Sequence, residues 1–149
     1  MILDHQLIFS DKQAVTATAI STNQVDRGAN APATVNMAPA LSGLWLVIKT
    51  GAAFAGLTSL TAELVSDSVA TLATSPTVHA STGAIPLANL GANKIAAILP
   101  VPIGDYERFL GVRYTVAGTG TAGDVSAFLT SDPQYAPKMA ANNPVAHNA

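Results

Sequence analysis

Hydrophobic and polar positions alternate along much of this chain. In YERFLGVRYTV (106–116), Leu110, Val112, Tyr114 and Val116 fall on one side, and Gly111, Arg113 and Thr115 on the other. LTAELV repeats the pattern, with Leu60, Ala62 and Leu64 set against Thr61, Glu63 and Val65. So does DVSAFLT, with Val125, Ala127 and Leu129 against Ser126, Phe128 and Thr130. Period two is the repeat of a strand with one buried face, because successive side chains leave a pleated backbone on opposite sides. Further strands are predicted over 7–10, 14–20, 44–50, 69–75, 77–81 and 94–100, which are short β-branched runs bounded by Gly, Pro, Asn or Asp. GLTSLTAELVSD (56–67) can be drawn on a helical wheel, but its threonines and its missing cap favour strand.

About eight or nine short strands with frequent turn signals imply an all-β sandwich or barrel. A jelly-roll β-sandwich fits the strand count best. An Ig-like sandwich is its neighbour, but the Cys-Trp-Cys spacing of true Ig domains is absent. The domain is expected over residues 1–131, with an extended C-terminal arm over 132–149. Two stretches lack any period: GANAPATVNMAPALSG (28–43), read as a long connecting loop, and the arm itself, whose anchors would be Tyr135 and Met139.

Composition narrows the function. Charged residues make up 11% of the chain, against roughly 25% in an ordinary globular protein. Charge normally keeps a surface soluble and unattached, so a surface of Thr, Ser, Asn, Ala and Gly suits a protein that packs against partners. A net charge of −2 with scattered Lys and Arg argues against nucleic acid. No apolar run approaches the ~20 residues that span a bilayer, so no membrane partner is expected. The N-terminus, with Asp4 inside its apolar patch and no basic region, does not read as a signal peptide. Zero cysteines exclude disulfides, zinc-thiolate sites and a Cys nucleophile.

Candidate chemistry is sparse, and no catalytic, cofactor or metal residue is assigned. GTGTAG (118–123) fits G-x-G-x-x-G, but strand-like DVSAFLTSD follows it where a dinucleotide site needs a helix, so the glycines read as the flexible loop of a hairpin. His5, His79 and His147 lie too far apart for a cupin-type metal site. Asp105 and Glu107 read as a solvated turn paired with Arg108 or Arg113. No Ser sits in a G-x-S-x-G elbow. Trp45 lies in an apolar run read as buried on both faces, and with Tyr106 and Tyr114 it leaves few rings for a sugar platform.

The N-terminal stretch MILDHQLIFSDKQAVTATAISTNQVDRG (1–28) resembles the opening of the capsid cement proteins of tailed bacteriophages, of the type first seen on a Bordetella phage. YERFLGVRYTVAGTGTAGDVSAFLTSDPQ (106–134) is similar to that family's R-x-L-R-x-x-Y-x-V strand, Gly-Thr loop and final strand. Together the two stretches cover about two fifths of the chain. The resemblance implies a jelly-roll cement or decoration protein on the outer surface of an icosahedral virion, made in the host cytoplasm. It also implies homodimers or homotrimers that clamp subunits of a separate major capsid protein, with no catalysis and no cofactor. The expected contacts lie near the chain ends: Ile2, Leu3, Asp4, Leu7, Asp11 and Lys12, with Tyr135 and Met139 in the arm. The competing readings are a jelly-roll carbohydrate-recognition or adhesion module on a phage particle, and a metal-dependent jelly-roll enzyme, which clustered histidines would have favoured.

Overall fold

The computed structural model describes residues 5–30, 34–35 and 43–133, with the side chains of 34 and 35 left aside. The expected Ile2, Leu3, Asp4, Tyr135 and Met139 contacts lie outside the described residues, as does nearly all of the arm. Twelve strands run in chain order: β1 (Ile8–Ala14), β2 (Ala19–Ile20), β3 (Val25–Asp26), β4 (Thr34–Val35), β5 (Trp45–Thr50), β6 (Ala55–Asp67), β7 (Thr77–Ser81), β8 (Ile85–Pro86), β9 (Ile95–Pro100), β10 (Gly104–Asp105), β11 (Phe109–Ala122) and β12 (Asp124–Thr130). Two 3₁₀ turns, His5–Leu7 and Leu87–Asn89, are the helical elements among the described residues.

The strands form two principal antiparallel sheets, a β-sandwich. One has four strands in the order β1-β12-β5-β9; the other is built on β2-β11-β6-β7, with β3 also on β11 and β8 also on β6. Pairing is nested: β1 with β12, β2 with β11, β5 with β9, β6 with β7. The chain thus resembles one long hairpin curled so that its strand pairs fall into two layers. β4 and β10 pair apart from both sheets.

The core fills the space between the layers, and the alternation in the sequence says which residues enter it. Leu110, Val112 and Tyr114 from β11 and Leu60, Ala62 and Leu64 from β6 meet Leu46 and Ile48 from β5 and Val125, Ala127 and Leu129 from β12. Burying each large side chain contributes roughly 1.5–3 kcal/mol. One polar contact bridges the layers inside this core: the Tyr114 hydroxyl lies 2.8 Å from Ser10 Oγ. Burial there pushes the Tyr114 phenol well above its usual pKa.

Several expectations need correcting. The Gly-Thr run is not a hairpin loop. β11 continues to Ala122, with Gly118 opposite Leu57 and Ala122 opposite Ala55, and β12 joins the other sheet. The chain changes layer at Gly123, where φ is +126° and a Cβ would lie 2.3 Å from the Phe54 ring. Gly120 lies so close to Thr16 that a Cβ would be 2.6 Å from its carbonyl oxygen. Gly120 admits the close approach of the Thr16 backbone, and Gly123 makes room for the Phe54 ring.

The expected strand over 14–20 reduces to β2, because residues 15–18 carry the chain from one sheet to the other. Within them Val15 enters the core, and Thr18 Oγ1 accepts a hydrogen bond from the Val116 N–H. VATLATS (69–75) is no strand either. The Asp67 carboxylate accepts hydrogen bonds from the Ser68 hydroxyl and from the Val69 and Thr74 N–H groups, which folds the segment back on itself. That fold sends Leu72, at φ +51°, down onto Gly111.

Arg108 and Arg113 pair with neither Asp105 nor Glu107. Register places Glu63 opposite Arg113 and Asp26 opposite Phe109, so Arg113 bonds Glu63 at 2.7 Å and Arg108 grips both oxygens of Asp26 at 2.8 Å. Tyr106, between Asp105 and Glu107, is 2% exposed, and its hydroxyl donates to the Pro102 carbonyl.

Candidate interaction surface

The two sheets turn different surfaces outward. On the four-stranded sheet, Leu46 and Ile48 take the inward positions of β5, which leaves Trp45, Val47 and Lys49 outside. Trp45 is therefore half-buried on an outer face, not buried on both faces as its apolar run suggested. Cross-strand register aligns Ile8, Phe128, Val47 and Ile98 in one outward row, one residue from each strand, with Thr130, Trp45 and Pro100 in the next. Val47 and Phe128 are buried there, with Ile8 and Ile95 packed against them, in an apolar cluster separate from the core. Ile98 is 37% exposed at the sheet edge.

The outward face of the six-stranded sheet is mostly polar, with Val78, opposite Val65, exposed on it at 43%. Thr61 pairs with Thr115, Glu63 with Arg113 and Ser59 with Ala117 across β6 and β11. Where this face becomes apolar, at Val65 opposite Gly111, Leu72 descends over the glycine and is only 1% exposed. A Cβ on Gly111 would lie 2.4 Å from Leu72 Cδ1 and 3.1 Å from Ser21 Oγ, so the absence of a side chain is what admits the strap.

The expected contact residues fall in different places. Leu7 sits in the 3₁₀ turn and packs partly buried against the core, so it is not a free surface anchor. Asp11 and Lys12 are exposed on the edge strand β1. They occupy an irregular stretch between Ser10 and Gln13 where the register shifts, Lys12 has φ +47°, and its N–H donates to Ser126 Oγ at 3.1 Å. A bulged, charged edge of this kind resists further strand pairing.

Titratable groups are few, and the notable ones hold the fold together. Ser66 Oγ lies 2.7 Å from His79 Nε2 and accepts the Glu107 N–H at 3.1 Å. The His79 ring stacks on Tyr106 with centroids 3.9 Å apart. Burial lowers the His79 pKa, which favours the neutral ring. Ser66 is itself fully buried, so this Ser-His contact ties β6 to β7 and presents no accessible nucleophile. The Arg108 hydrogen bond and the Gly28 N–H hold the Asp26 carboxyl down at about 2. Among the described residues no three His, Cys, Asp or Glu side chains gather as a metal site. An open groove beside the start of β9, lined by Ile85, Pro86, Asn89, Lys94 and Ile95 among others, holds Lys94 as its one ionisable group.

Sequence reasoning missed the outward apolar row and the Leu72 strap. A signal for the row was present: Phe128 and Val47 are apolar residues on the nominally polar side of alternating strands. The strap gave none, because it depends on Gly111 lying beneath a distant loop.

No curated protein matches the chain. The family model Bbp16 matches residues 9–129, from the start of the first strand to the end of the last and across both sheets. The chain therefore belongs to the Bbp16 family.

Proposed function

We propose that this protein is a structural component of a phage particle: a jelly-roll cement or decoration protein that binds the outside of an icosahedral shell and stabilises contacts between major capsid protein subunits. The family's name suggests a Bordetella phage protein, which supports the virion setting. The nested pairing of eight principal strands in two sheets supports the jelly-roll reading. The observation that carries the function is the pairing of a charge-poor surface with a double-sheet block that leaves Val69, Val78, Ile98 and Ile103 exposed. Such a block suits adhesion repeated over a lattice, where each copy contributes modest free energy and the shell gains the sum.

The test is pelleting. Purified protein mixed with empty shells of the phage that carries it is expected to sediment with them, to saturate at a fixed ratio to the capsid subunits, and to raise the shell's thermal or mechanical resistance. Failure to sediment at any concentration refutes the reading. Homodimers or homotrimers at symmetry axes belong to the same proposal, and sedimentation of the protein alone measures them.

A further inference from the structure

We propose that the side of the sandwich where the edge strands β7 and β9 meet is the part of the molecule that binds the shell, and that it takes an extended, uncharged segment of a capsid subunit laid along β9. The inference rests on the cement reading and adds where on the molecule the contact lies and what kind of chain fills it.

Exposure picks out the side. The large hydrophobic residues exposed among the described residues are Val69, Val78, Ile98 and Ile103. Val78 belongs to β7, the edge strand of the six-stranded sheet, and Val69 to the loop that leads into it. Ile98 belongs to β9, the edge strand of the four-stranded sheet, and Ile103 to the segment that leaves it. β7 and β9 approach each other, and the segment after β9 packs back onto β7: the Tyr106 hydroxyl bonds the Pro102 carbonyl while its ring stacks on His79. Val78, opposite Val65, and Ile98, opposite Val47, therefore flank one side of the sandwich from the two outer faces. Ile103, between β9 and Tyr106, is 67% exposed.

Charge separates this side from the other. Residues 68–104 include one charged side chain, Lys94, and one histidine, whose ring lies against Tyr106. On the opposite side, where β1, β2 and β3 run, residues 8–27 carry Asp11, Lys12, Asp26 and Arg27 and none of the exposed large hydrophobics. A charged partner on the β7–β9 side would lose hydration and find only Lys94 to pair with, whereas an uncharged one leaves no charge stranded.

The two edges of the four-stranded sheet differ in the same sense. β1 is interrupted between Ser10 and Gln13 by a stretch bearing Asp11 and Lys12. β9 carries no charge, pairs regularly with β5 from Ala97 to Pro100, and has no strand on its other side among the described residues. Sheet edges are ordinarily blunted by charges or bulges, and a plain one offers its backbone N–H and C=O groups to an added strand. The register shift between Ile95 and Ala97, and the missing N–H of Pro100, confine that offer to residues 97–99. Pairing so short does not hold two copies together unaided, and it fits weak contacts multiplied over a lattice.

The experiment puts the same new charge on both sides: Ile98→Lys and Ile103→Lys on one, and Ala17→Lys, at an exposed position between β1 and β2, on the other, all read by shell co-sedimentation. Thermal melting establishes which variants are folded, and the more exposed Ile103 keeps the test alive should Ile98→Lys unfold. The expected result is at least a tenfold loss of shell affinity for the Ile98 and Ile103 variants and wild-type affinity for Ala17→Lys. Hydrogen exchange at 97–99 is expected to slow in the shell-bound wild type. Wild-type affinity in the folded Ile98 and Ile103 variants, or an equal loss in Ala17→Lys, overturns the side while leaving the cement reading intact. Unslowed exchange at 97–99 overturns the added strand. Absence of wild-type binding overturns both readings. A self-associated wild type that Ile98→Lys dissociates assigns the side to a second copy and overturns the capsid partner.

Discussion

The outward faces of the two sheets handle apolar residues in different ways. On the six-stranded sheet, Val65 beside Gly111 meets a strap from its own chain, with Leu72 filling the space that the missing Cβ leaves. On the four-stranded sheet, Val47 and Phe128 gather Ile8 and Ile95 around them, and the row runs out to an exposed Ile98. Both faces carry large side chains on the side that strand alternation marks as polar. One covers Val65 with the loop of residues 68–76 folded around Asp67 and leaves Val78 exposed beside it; the other buries Val47 and Phe128 and leaves Ile98 exposed at the sheet edge. The difference teaches that an outward hydrophobe is informative only once its cover is known.

Leu72→Ala breaks the comparison most severely. Emptying a site that is 1% exposed is expected to cost about 2–5 kcal/mol in chemical denaturation, and to raise dye binding by uncovering apolar surface on the six-stranded sheet. A loss below about 0.5 kcal/mol would show that the strap is dispensable. Tyr114→Phe comes next. It removes the hydroxyl that meets Ser10 between the layers and is expected to destabilise by roughly 1 kcal/mol, with β1, and hence the Ile8 end of the apolar row, gaining hydrogen-exchange rate. Glu63→Gln on the polar face weakens a half-exposed ion pair and is expected to cost about 1 kcal/mol or less, a loss that shrinks further in high salt.

The His79 contact predicts a pH dependence smaller again. Its folded pKa is lowered, so the unfolded chain binds the proton first as pH falls below about 6.5. Stability is full above that pH and declines as pH falls toward the folded value. His79→Gln is expected to flatten this limb of the pH–stability curve, read by thermal melting at a series of pH values; an unchanged limb assigns the dependence to another group. The smallest effect belongs to Ile98→Ser. Being 37% exposed, Ile98 is expected to change folding stability by no more than about 0.5 kcal/mol in chemical denaturation.

Alternation alone determined which residues fill the core. Leu110, Val112 and Tyr114 are inward because period two leaves them no other side, and Leu60, Ala62, Leu64, Val125, Ala127 and Leu129 follow the same rule. Low charge and absent cysteines were likewise readable before any fold, and so was the class, strands without α-helix among the described residues.

Tertiary structure decided the rest, because each remaining feature joins residues far apart in the chain. The run 118–122 is strand and not loop because Leu57 and Ala55 of β6 lie alongside it. Arg108 finds Asp26 and not Asp105 because β3 is drawn onto β11. Trp45 faces outward because Leu46 and Ile48 beside it are claimed by the core. Short-range pattern sets the side on which a residue emerges, whereas sheet pairing over long separations sets what it meets there, and local periodicity carries no record of that second choice.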